Sequence, residues 1–199
     1  MALIIGLTGS IASGKSTVSA MLQDYRIPVV DADQISRDVV RPGEKAYQQI
    51  VEIFGDDILL ADKSLNRKKL GAIIFPDKEK RIQLNEIVHP AVRGNMLKQR
   101  EAYVDAGEKC VVLDIPLLFE SKLTHFVDRT LVVYVNRQTQ LERLMTRDDS
   151  SEADANSRIN SQIPLDEKAR MADAVIDNNG TQEHTKEQLT ELLKSWKVI

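Results

Sequence analysis

Five short apolar runs alternate with longer amphipathic stretches along the chain. The first run, Leu3–Leu7, is continuous rather than alternating, which is typical of a strand buried on both faces of a parallel sheet. The other four runs cover 27–30, 109–115, 129–135 and 174–176. The pattern predicts an α/β fold with a doubly wound, five-stranded parallel sheet flanked by helices.

The stretches between these runs have mostly helical periodicity. Helices are predicted over 15–25, 138–147 and 181–196. A longer helical region begins at Gln34 and ends at Tyr103, with breaks at Arg41-Pro42-Gly43, Gly55-Asp56-Asp57 and His89-Pro90. The segment 148–166 is polar, contains Pro164 and has no strand pattern, so we expect it to be mobile.

Length, composition and charge narrow the class of protein. The 199 residues suit one domain, and 42% hydrophobic and 29% charged residues are ordinary for a globular chain. The net charge of −3 disfavours a nucleic-acid partner, because such proteins gain most of their affinity from basic surfaces. No apolar run reaches the ~18 residues of a membrane span, and the start, MALIIGL, has no basic region typical of a signal peptide. We therefore expect a cytoplasmic protein without membrane association, with Cys110 as a small buried hydrophobe.

The first predicted strand leads directly into GLTGSIASGKST, residues 6–17. Within it the spacing G-x-x-x-x-G-K-[ST] is that of a phosphate-binding loop. Its backbone N–H groups face phosphate oxygens, its lysine balances the β and γ charge, and its hydroxyl binds Mg²⁺. Because the motif lies between a strand and a helix, as this mechanism requires, a glycine-rich turn with a chance lysine is the weaker interpretation. The residues assigned to the ATP site are Gly9, Ala12, Ser13, Gly14, Lys15, Ser16 and Thr17.

Acidic residues stand at the predicted ends of two strands. Asp31 and Asp33 follow the second apolar run, and the carboxyl ends of strands face the ligand crevice in such sheets, so either is a candidate base for an acceptor hydroxyl. Helix capping by Asp33 explains the same spacing equally well. The stretch Val111–Asp114 has the form of a Walker-B strand, which makes Asp114 a candidate ligand for Mg²⁺ together with Ser16, although chance also produces this pattern.

Basic residues cluster around the polar segment. Arg143 and Arg147 are four apart and therefore share one helical face. With Arg158, Lys168 and Arg170 they would supply the cations that a closing lid needs over phosphates. An ordinary solvated helix face is the competing interpretation.

The chain lacks the guanine-binding motifs that a GTPase-like switch needs beside its phosphate loop, so this class of protein is disfavoured. The chain has no guanine-reading N-K-x-D, and its D-x-x-G at 177–180 lies too near the C-terminus to serve. A kinase for a small molecule remains the leading hypothesis.

Seven segments in order resemble the dephospho-coenzyme A kinase family. They are LTGSIASGKST, VVDADQISRDVV, VHP (88–90), IPLLFE (115–120), QLERLMTRD (140–148), RINSQ (158–162) and ADAVIDNNG (172–180). The phosphate loop alone would indicate only the superfamily, whereas DAD, PLLFE and VIDNNG are specific. Ser10 and Ala12 depart from the glycines of many relatives, at positions where any small residue fits.

The resemblance implies ATP-dependent phosphorylation of the ribose 3′-hydroxyl of dephospho-CoA, with Mg²⁺. It implies one P-loop kinase domain with a core (1–33, 108–147 and 168–199), a helical substrate-binding region (34–107) and a lid (148–167). Catalytic roles then fall to Asp33 as base, Lys15 and Arg143. Further ATP contacts fall to Arg147, Asn178 and Asn179, and acceptor contacts to Asp33, His89, Leu117 and Leu118. For His89 a packing role before Pro90 remains equally open, and the role of Glu120 is not assigned.

Two other functions remain as alternatives. One is a kinase for a different hydroxyl compound on the same scaffold, and the other is a nucleotide-binding regulatory protein without transferase activity. We expect ATP and dephospho-CoA as small-molecule partners, and no feature of the sequence calls for an obligatory protein partner.

Overall fold

The computed structural model describes residues 2–199 as two compact units. We call residues 2–30 together with 100–199 the core unit, and residues 31–99 the helical unit. Each unit has its own apolar cluster, and each is described by itself below.

A five-stranded sheet, in the order β2-β3-β1-β4-β5, confirms the predicted α/β fold. The strands are β1 Leu3–Thr8, β2 Val29–Asp31, β3 Cys110–Asp114, β4 Arg129–Tyr134 and β5 Ala174–Asp177. The pairs β1–β3, β1–β4 and β4–β5 are parallel. The second strand begins two residues later than predicted, at Val29 instead of Ile27, which is an ordinary uncertainty of element boundaries.

Helices occupy the connections between strands. They are α1 Lys15–Asp24, α2 Ala32–Asp38, α3 Lys45–Phe54, α4 Arg67–Ile74, α5 Lys78–Asp105, α6 Arg137–Asp148, α7 Glu152–Asn160, α8 Leu165–Met171 and α9 Gln182–Ser195. Among residues 2–199, every helix is too short or too polar to cross a bilayer.

The main apolar cluster lies between the sheet and helices α1 and α9. Ile5 and Leu7 of β1 and Leu131 and Val133 of β4 are fully buried in it. Gly6 points to the opposite face, where an added Cβ would lie 2.9 Å from the Leu118 side chain. Because both faces of β1 are covered, its sequence is apolar without alternation.

Cys110 belongs to this cluster, as predicted, and burial raises the pKa of its thiol to about 12. We expect an aromatic disulfide reagent at about pH 8 to leave the native thiol unlabelled and to label it only in denaturant, because only the thiolate reacts. Below pH 9.0, the usual pKa of a cysteine thiol, the thiol keeps its proton in both the folded and the unfolded protein. Above pH 9.0 the thiol of the unfolded chain ionises first, so the free energy of unfolding falls as the pH rises towards 12. Rapid labelling of the folded protein would contradict this placement.

The helical unit packs around Ile50, Ile58 and Leu70. Two predicted breaks are confirmed, because Gly43 (φ 96°) lies between α2 and α3 and Gly55 (φ 79°) ends α3. The predicted break at His89-Pro90 is wrong, since α5 continues through Pro90. Proline removes one N–H donor from a helix, and the remaining bonds of a 28-residue helix hold it together.

The segment predicted to be mobile contains a helix that the sequence analysis did not predict. Ser151 is the N-cap of helix α7, and its hydroxyl accepts a hydrogen bond from the Asp154 N–H at 3.1 Å. Ala155 and Ile159, four apart, are buried against α6. The S-x-x-D capping signature at 151–154 was the signal that could have found this helix.

Candidate active site

The phosphate loop connects β1 to α1 and presents the N-terminus of that helix. Gly14 is the N-cap and lies in the left-handed region, with φ 85° and ψ 20°. The Thr17 N–H donates to the Gly14 carbonyl at 3.0 Å and starts the helix. The first N–H groups of a helix have no acceptor within it, so this end is ready to bind an anion.

Gly14 is also in close contact with the loop that follows β5. An added Cβ would lie 2.0 Å from Asn178 Nδ2. We expect Gly14→Ala to lower the free energy of unfolding by about 2–4 kcal/mol, through backbone strain at positive φ and overpacking. Denaturant unfolding of Gly14→Ala beside Gly94→Ala, where a Cβ meets nothing within 4 Å, measures this. Equal stability of the two variants would contradict the contact.

Lys15, the first residue of α1, forms an ion pair with Asp114, the last residue of β3. The register pairs Leu7 of β1 with Asp114 of β3, so both strands end at the same level. The Lys15 ammonium donates to Asp114 Oδ1 at the buried end of β3. Ser16, the next residue after the lysine, is exposed in the first turn of α1. The lysine and the carboxylate therefore meet at the phosphate loop, and the serine follows the lysine in the same helical turn.

The two arginines predicted on one face of α6 have different partners. Arg143 Nη2 donates to the Asn178 carbonyl at 2.9 Å, and Arg143 Nη1 would lie 3.7 Å from a Cβ at Gly14. Arg147 instead pairs with Asp148, at 2.7 and 3.0 Å. Asp148 also accepts from Arg158 at 2.5 Å, and hydrogen bonds from these two guanidinium groups lower the pKa of its carboxyl. Arg143 thus lies at the phosphate loop, while Arg147 and Arg158 share one exposed carboxylate.

The asparagines after β5 support the backbone around the loop. Asn178 is buried, donates from Nδ2 to the Ser13 carbonyl at 2.9 Å, and accepts from the Thr185 hydroxyl at 2.8 Å. Asn179 Oδ1 accepts from the backbone and side-chain amides of Asn136, at 3.0 and 2.8 Å. Both side chains hold protein groups, so the position of an adenine beside them stays a prediction.

Two glutamines that the sequence analysis missed hold the tip of the phosphate loop. Gln140 of α6 donates to the Ile11 carbonyl at 2.8 Å and to the Ser10 hydroxyl at 3.1 Å. Gln162, between α7 and α8, accepts from the Ser10 hydroxyl at 2.5 Å and from the Ile11 N–H at 3.0 Å. Ser10 therefore carries a contact that glycine could not make. Both lie in segments that resemble the family, QLERLMTRD and RINSQ, which is the signal that could have found them, although their partners are more than a hundred residues away.

The charge and spacing of Lys168 had suggested an exposed cation of the polar segment, and this prediction is wrong. Its side chain is completely buried, and its ammonium pairs with Glu120 at 2.8 Å. Burial lowers the pKa of Lys168, and the Glu120 carboxylate acts in the opposite direction. The Lys168 ammonium also donates to the Gly9 carbonyl at 2.7 Å, so it bonds to the backbone at the start of the phosphate loop.

The apolar residues of IPLLFE point to different environments. Leu118 is fully buried against Gly6, whereas Leu117 is 41% exposed. Leu117 is therefore accessible to a ligand, whereas Leu118 packs inside the core unit, and a contact of either with the acceptor stays a prediction.

Three predicted site residues belong to the helical unit. Asp31 caps α2, because its Oδ1 accepts from the N–H groups of Asp33 and Gln34 at 2.8 and 3.0 Å. Asp33 lies exposed in the first turn of the same helix, so capping is done by Asp31 and not by Asp33. His89 lies within α5 and lines an open surface groove with Glu86 and Arg93. Burial, with a smaller contribution from Arg93, lowers the pKa of His89.

The strand order and the phosphate loop after β1 define the chain as a P-loop kinase. The dephospho-CoA kinase family model matches residues 3–184. The chain belongs to the dephospho-CoA kinase family, which confirms the resemblance seen in its motifs.

Individual relatives agree with this assignment. A Bacillus cereus protein named dephospho-CoA kinase is 58% identical over 199 residues, covering 100% of both chains. The crystal structure of TT1252 from Thermus thermophilus superposes with a TM-score of 0.83 at 30% identity, covering 98% of this chain and 97% of that one. A dephospho-CoA kinase from Campylobacter jejuni gives a TM-score of 0.67 at 27% identity, with 96% of each chain covered.

Proposed function

We propose that this enzyme transfers the γ-phosphoryl group of ATP to the ribose 3′-hydroxyl of 3′-dephospho-CoA, giving CoA and ADP in the last step of coenzyme A biosynthesis. The observation that carries the proposal is full-length similarity to dephospho-CoA kinases around an intact phosphate loop. The single cysteine is buried and suits a reducing compartment, so we place the reaction in the cytoplasm.

ATP binds, in this proposal, at the N-terminus of α1. The loop N–H groups hold the phosphates, and Lys15 exchanges its bond to Asp114 for the phosphate oxygens. Arg143, already at Gly14, then lies beside the transferring group and offsets its charge. Most of the acceleration comes from this placement of charge and from orientation of the two substrates.

The residues at the loop suit Mg²⁺. This ion prefers oxygen ligands and typically takes one or two carboxylates together with substrate phosphates. The exposed Ser16 hydroxyl and the Asp114 carboxylate supply such oxygens, and among the described residues no cluster of three or more acidic, histidine or cysteine side chains forms a separate metal site. When bound, Mg²⁺ neutralises charge on the β- and γ-phosphates.

Asp33 is the proposed base for the acceptor hydroxyl. A secondary ribose hydroxyl is a poor nucleophile at neutral pH, so a carboxylate within hydrogen-bond reach helps by orienting it and taking its proton late. Asp31 is occupied in capping α2, whereas the Asp33 side chain is exposed. We assign the acceptor to the helical region 34–107, with a contact from His89. The acceptor contacts that the family resemblance implies for Leu117 and Leu118 stay predictions.

The segment 148–167 is the proposed lid. It contains α7, whose apolar face packs with Leu144 of α6 and with Ile11 and Ala12 of the phosphate loop. Arg147 and Arg158 stand at its start and within α7, bound to Asp148. Transfer of the Arg158 guanidinium from Asp148 to a phosphate would close the segment over ATP and exclude water.

A panel of acceptors tests the proposed substrate. Purified protein with Mg-ATP is supplied with dephospho-CoA, with adenosine or with no acceptor, and ADP release is followed by a coupled assay. We expect ADP formation to depend on dephospho-CoA. Equal ADP release without an acceptor would point to a nucleotide hydrolase, and release with adenosine alone would point to a different kinase.

A further inference from the structure

A buried ion pair lies behind the phosphate loop, formed by two residues that the mechanism above does not use. Lys168 of α8 has no exposed surface, and its Nζ lies 2.8 Å from Glu120 Oε1, in the loop after β3. The Glu120 side chain keeps 19% of its surface exposed. Burying the Lys168 ammonium costs solvation free energy, which an ion pair offsets only when further hydrogen bonds complete it.

The ammonium of Lys168 makes those further bonds to main-chain carbonyls. It donates to the Gly9 carbonyl at 2.7 Å and to the Pro116 carbonyl at 3.3 Å. With Glu120 these acceptors match the three donors of an ammonium group. Gly9 is the first glycine of the phosphate loop, so a charged side chain holds the backbone at the point where β1 becomes the loop.

Holding the Gly9 carbonyl also orients the next amide. In a planar trans peptide the carbonyl and the following N–H point in opposite directions. The bond from Lys168 therefore fixes the direction of the Ser10 N–H and the start of the loop's turn. Phosphate affinity depends on the direction of the loop amides, so this placement bears directly on ATP binding.

Glu120 connects the same pair to the end of the proposed lid. Its Oε1 accepts from the Ile163 N–H at 3.2 Å. The preceding residue, Gln162, contacts Ser10 and Ile11 directly. Two consecutive residues after α7 are thus attached to the phosphate loop, one directly and the other through Glu120 and Lys168.

We propose that Lys168 and Glu120 are positioning residues of the ATP site, which set the backbone of the phosphate loop and link it to the 162–163 end of the lid. The proposal rests on the proposed function only in taking the loop as a nucleotide site. Because Lys168 acts by holding the phosphate loop, its loss should weaken nucleotide binding. Because it does not act on the acceptor, the KM for the acceptor should stay unchanged.

A simply stabilising pair would behave differently from a positioning pair when both charges are removed. Lys168→Met leaves the Glu120 carboxylate buried without its ammonium, so the variant loses stability in either case. Lys168→Met combined with Glu120→Gln removes both charges, and the glutamine oxygen can still accept from Ile163. If the pair positions the loop, this double variant regains stability but still lacks the ammonium that holds Gly9.

The experiment measures ADP binding by calorimetry, thermal midpoints, and KM for ATP and for dephospho-CoA. We expect the double variant to recover at least half of the midpoint lost by Lys168→Met, while its ADP affinity stays weaker than wild type by about tenfold or more. KM for ATP should rise in parallel, and KM for dephospho-CoA should stay within about twofold. Recovery of ADP affinity together with stability would overturn the proposal, as would wild-type ADP affinity in folded Lys168→Met.

Controls separate this inference from the enzyme's proposed activity. Lys186→Met and Glu191→Gln, both on α9, remove exposed charges outside the site and should bind ADP like wild type. ADP binding needs no acceptor, so a wild type that binds ADP without phosphorylating dephospho-CoA would refute the substrate and leave this test valid. Full transfer activity in wild type with unchanged ADP affinity in both Lys168 variants would refute only the positioning role.

Discussion

Asp33→Asn should lower turnover by roughly 10²–10⁴-fold while leaving ATP affinity nearly unchanged. This is the range typical of a residue acting in general acid–base catalysis. Asparagine keeps the shape of the side chain but does not take a proton. Because Asp33 is exposed and Asp31 caps α2, the substitution should not disturb the helix. Steady-state kcat and calorimetric ATP binding measure the two effects separately.

Asp31→Asn is the matched control for this prediction. Asparagine caps helices as well as aspartate does, so the bonds to the Asp33 and Gln34 amides should survive. We expect kcat within about threefold of wild type for this variant. A larger loss at Asp31 than at Asp33, or nearly full turnover in Asp33→Asn, would remove Asp33 from the role of base.

Lys15→Ala should weaken ATP binding and lower turnover, with a loss of about 10²–10³-fold in kcat/KM for ATP. Removal of one preorganised donor at developing charge typically costs this much. The same ammonium pairs with Asp114, which holds the lysine beside the loop. Calorimetry with ADP and the coupled assay measure binding and rate.

Two controls show whether the effects of Lys15→Ala come from the loss of this particular side chain. Lys186→Ala removes an exposed lysine from α9 and should change neither quantity. The thermal midpoint without nucleotide reports whether the fold of Lys15→Ala survives the loss of its bond to Asp114. Normal ATP affinity and rate in folded Lys15→Ala would count against the whole site.

The sheet was predictable because its signal is local. Strands such as β1 and β4 are covered on both faces, and complete burial of Ile5, Leu7, Leu131 and Val133 requires continuous apolar runs. The phosphate loop was predictable for the same reason, since its glycines, lysine and serine are adjacent in sequence. The family motifs then identified the substrate class, which the comparisons confirm.

The errors had both local and long-range causes. His89-Pro90 looked like a break, yet α5 continues because its other bonds outweigh one missing donor. Helix α7 buries few apolar residues, so its periodicity was weak beside its polar composition. Lys168 looked like a solvated cation because sequence contains no sign of its partner Glu120, 48 positions earlier.

The supporting contacts of the active site were similarly out of reach of sequence reasoning. Gln140 and Gln162 approach Ser10 from elements more than a hundred residues away. Asn178 was placed at the site from its motif, but its contacts with Ser13 and Thr185 appear only in the folded chain. Motif spacing finds the residues that chemistry requires, whereas the residues that hold them depend on tertiary packing.

Product analysis after a single reaction with Mg-ATP and dephospho-CoA tests the central claim most directly. Mass spectrometry with fragmentation should show a gain of one phosphate, located on the ribose 3′ position, with one ADP formed for each product. Wild-type protein giving that product, and Asp33→Asn giving it far more slowly, is the predicted result. ADP formed without this product, or a phosphate attached at another position, would contradict the account.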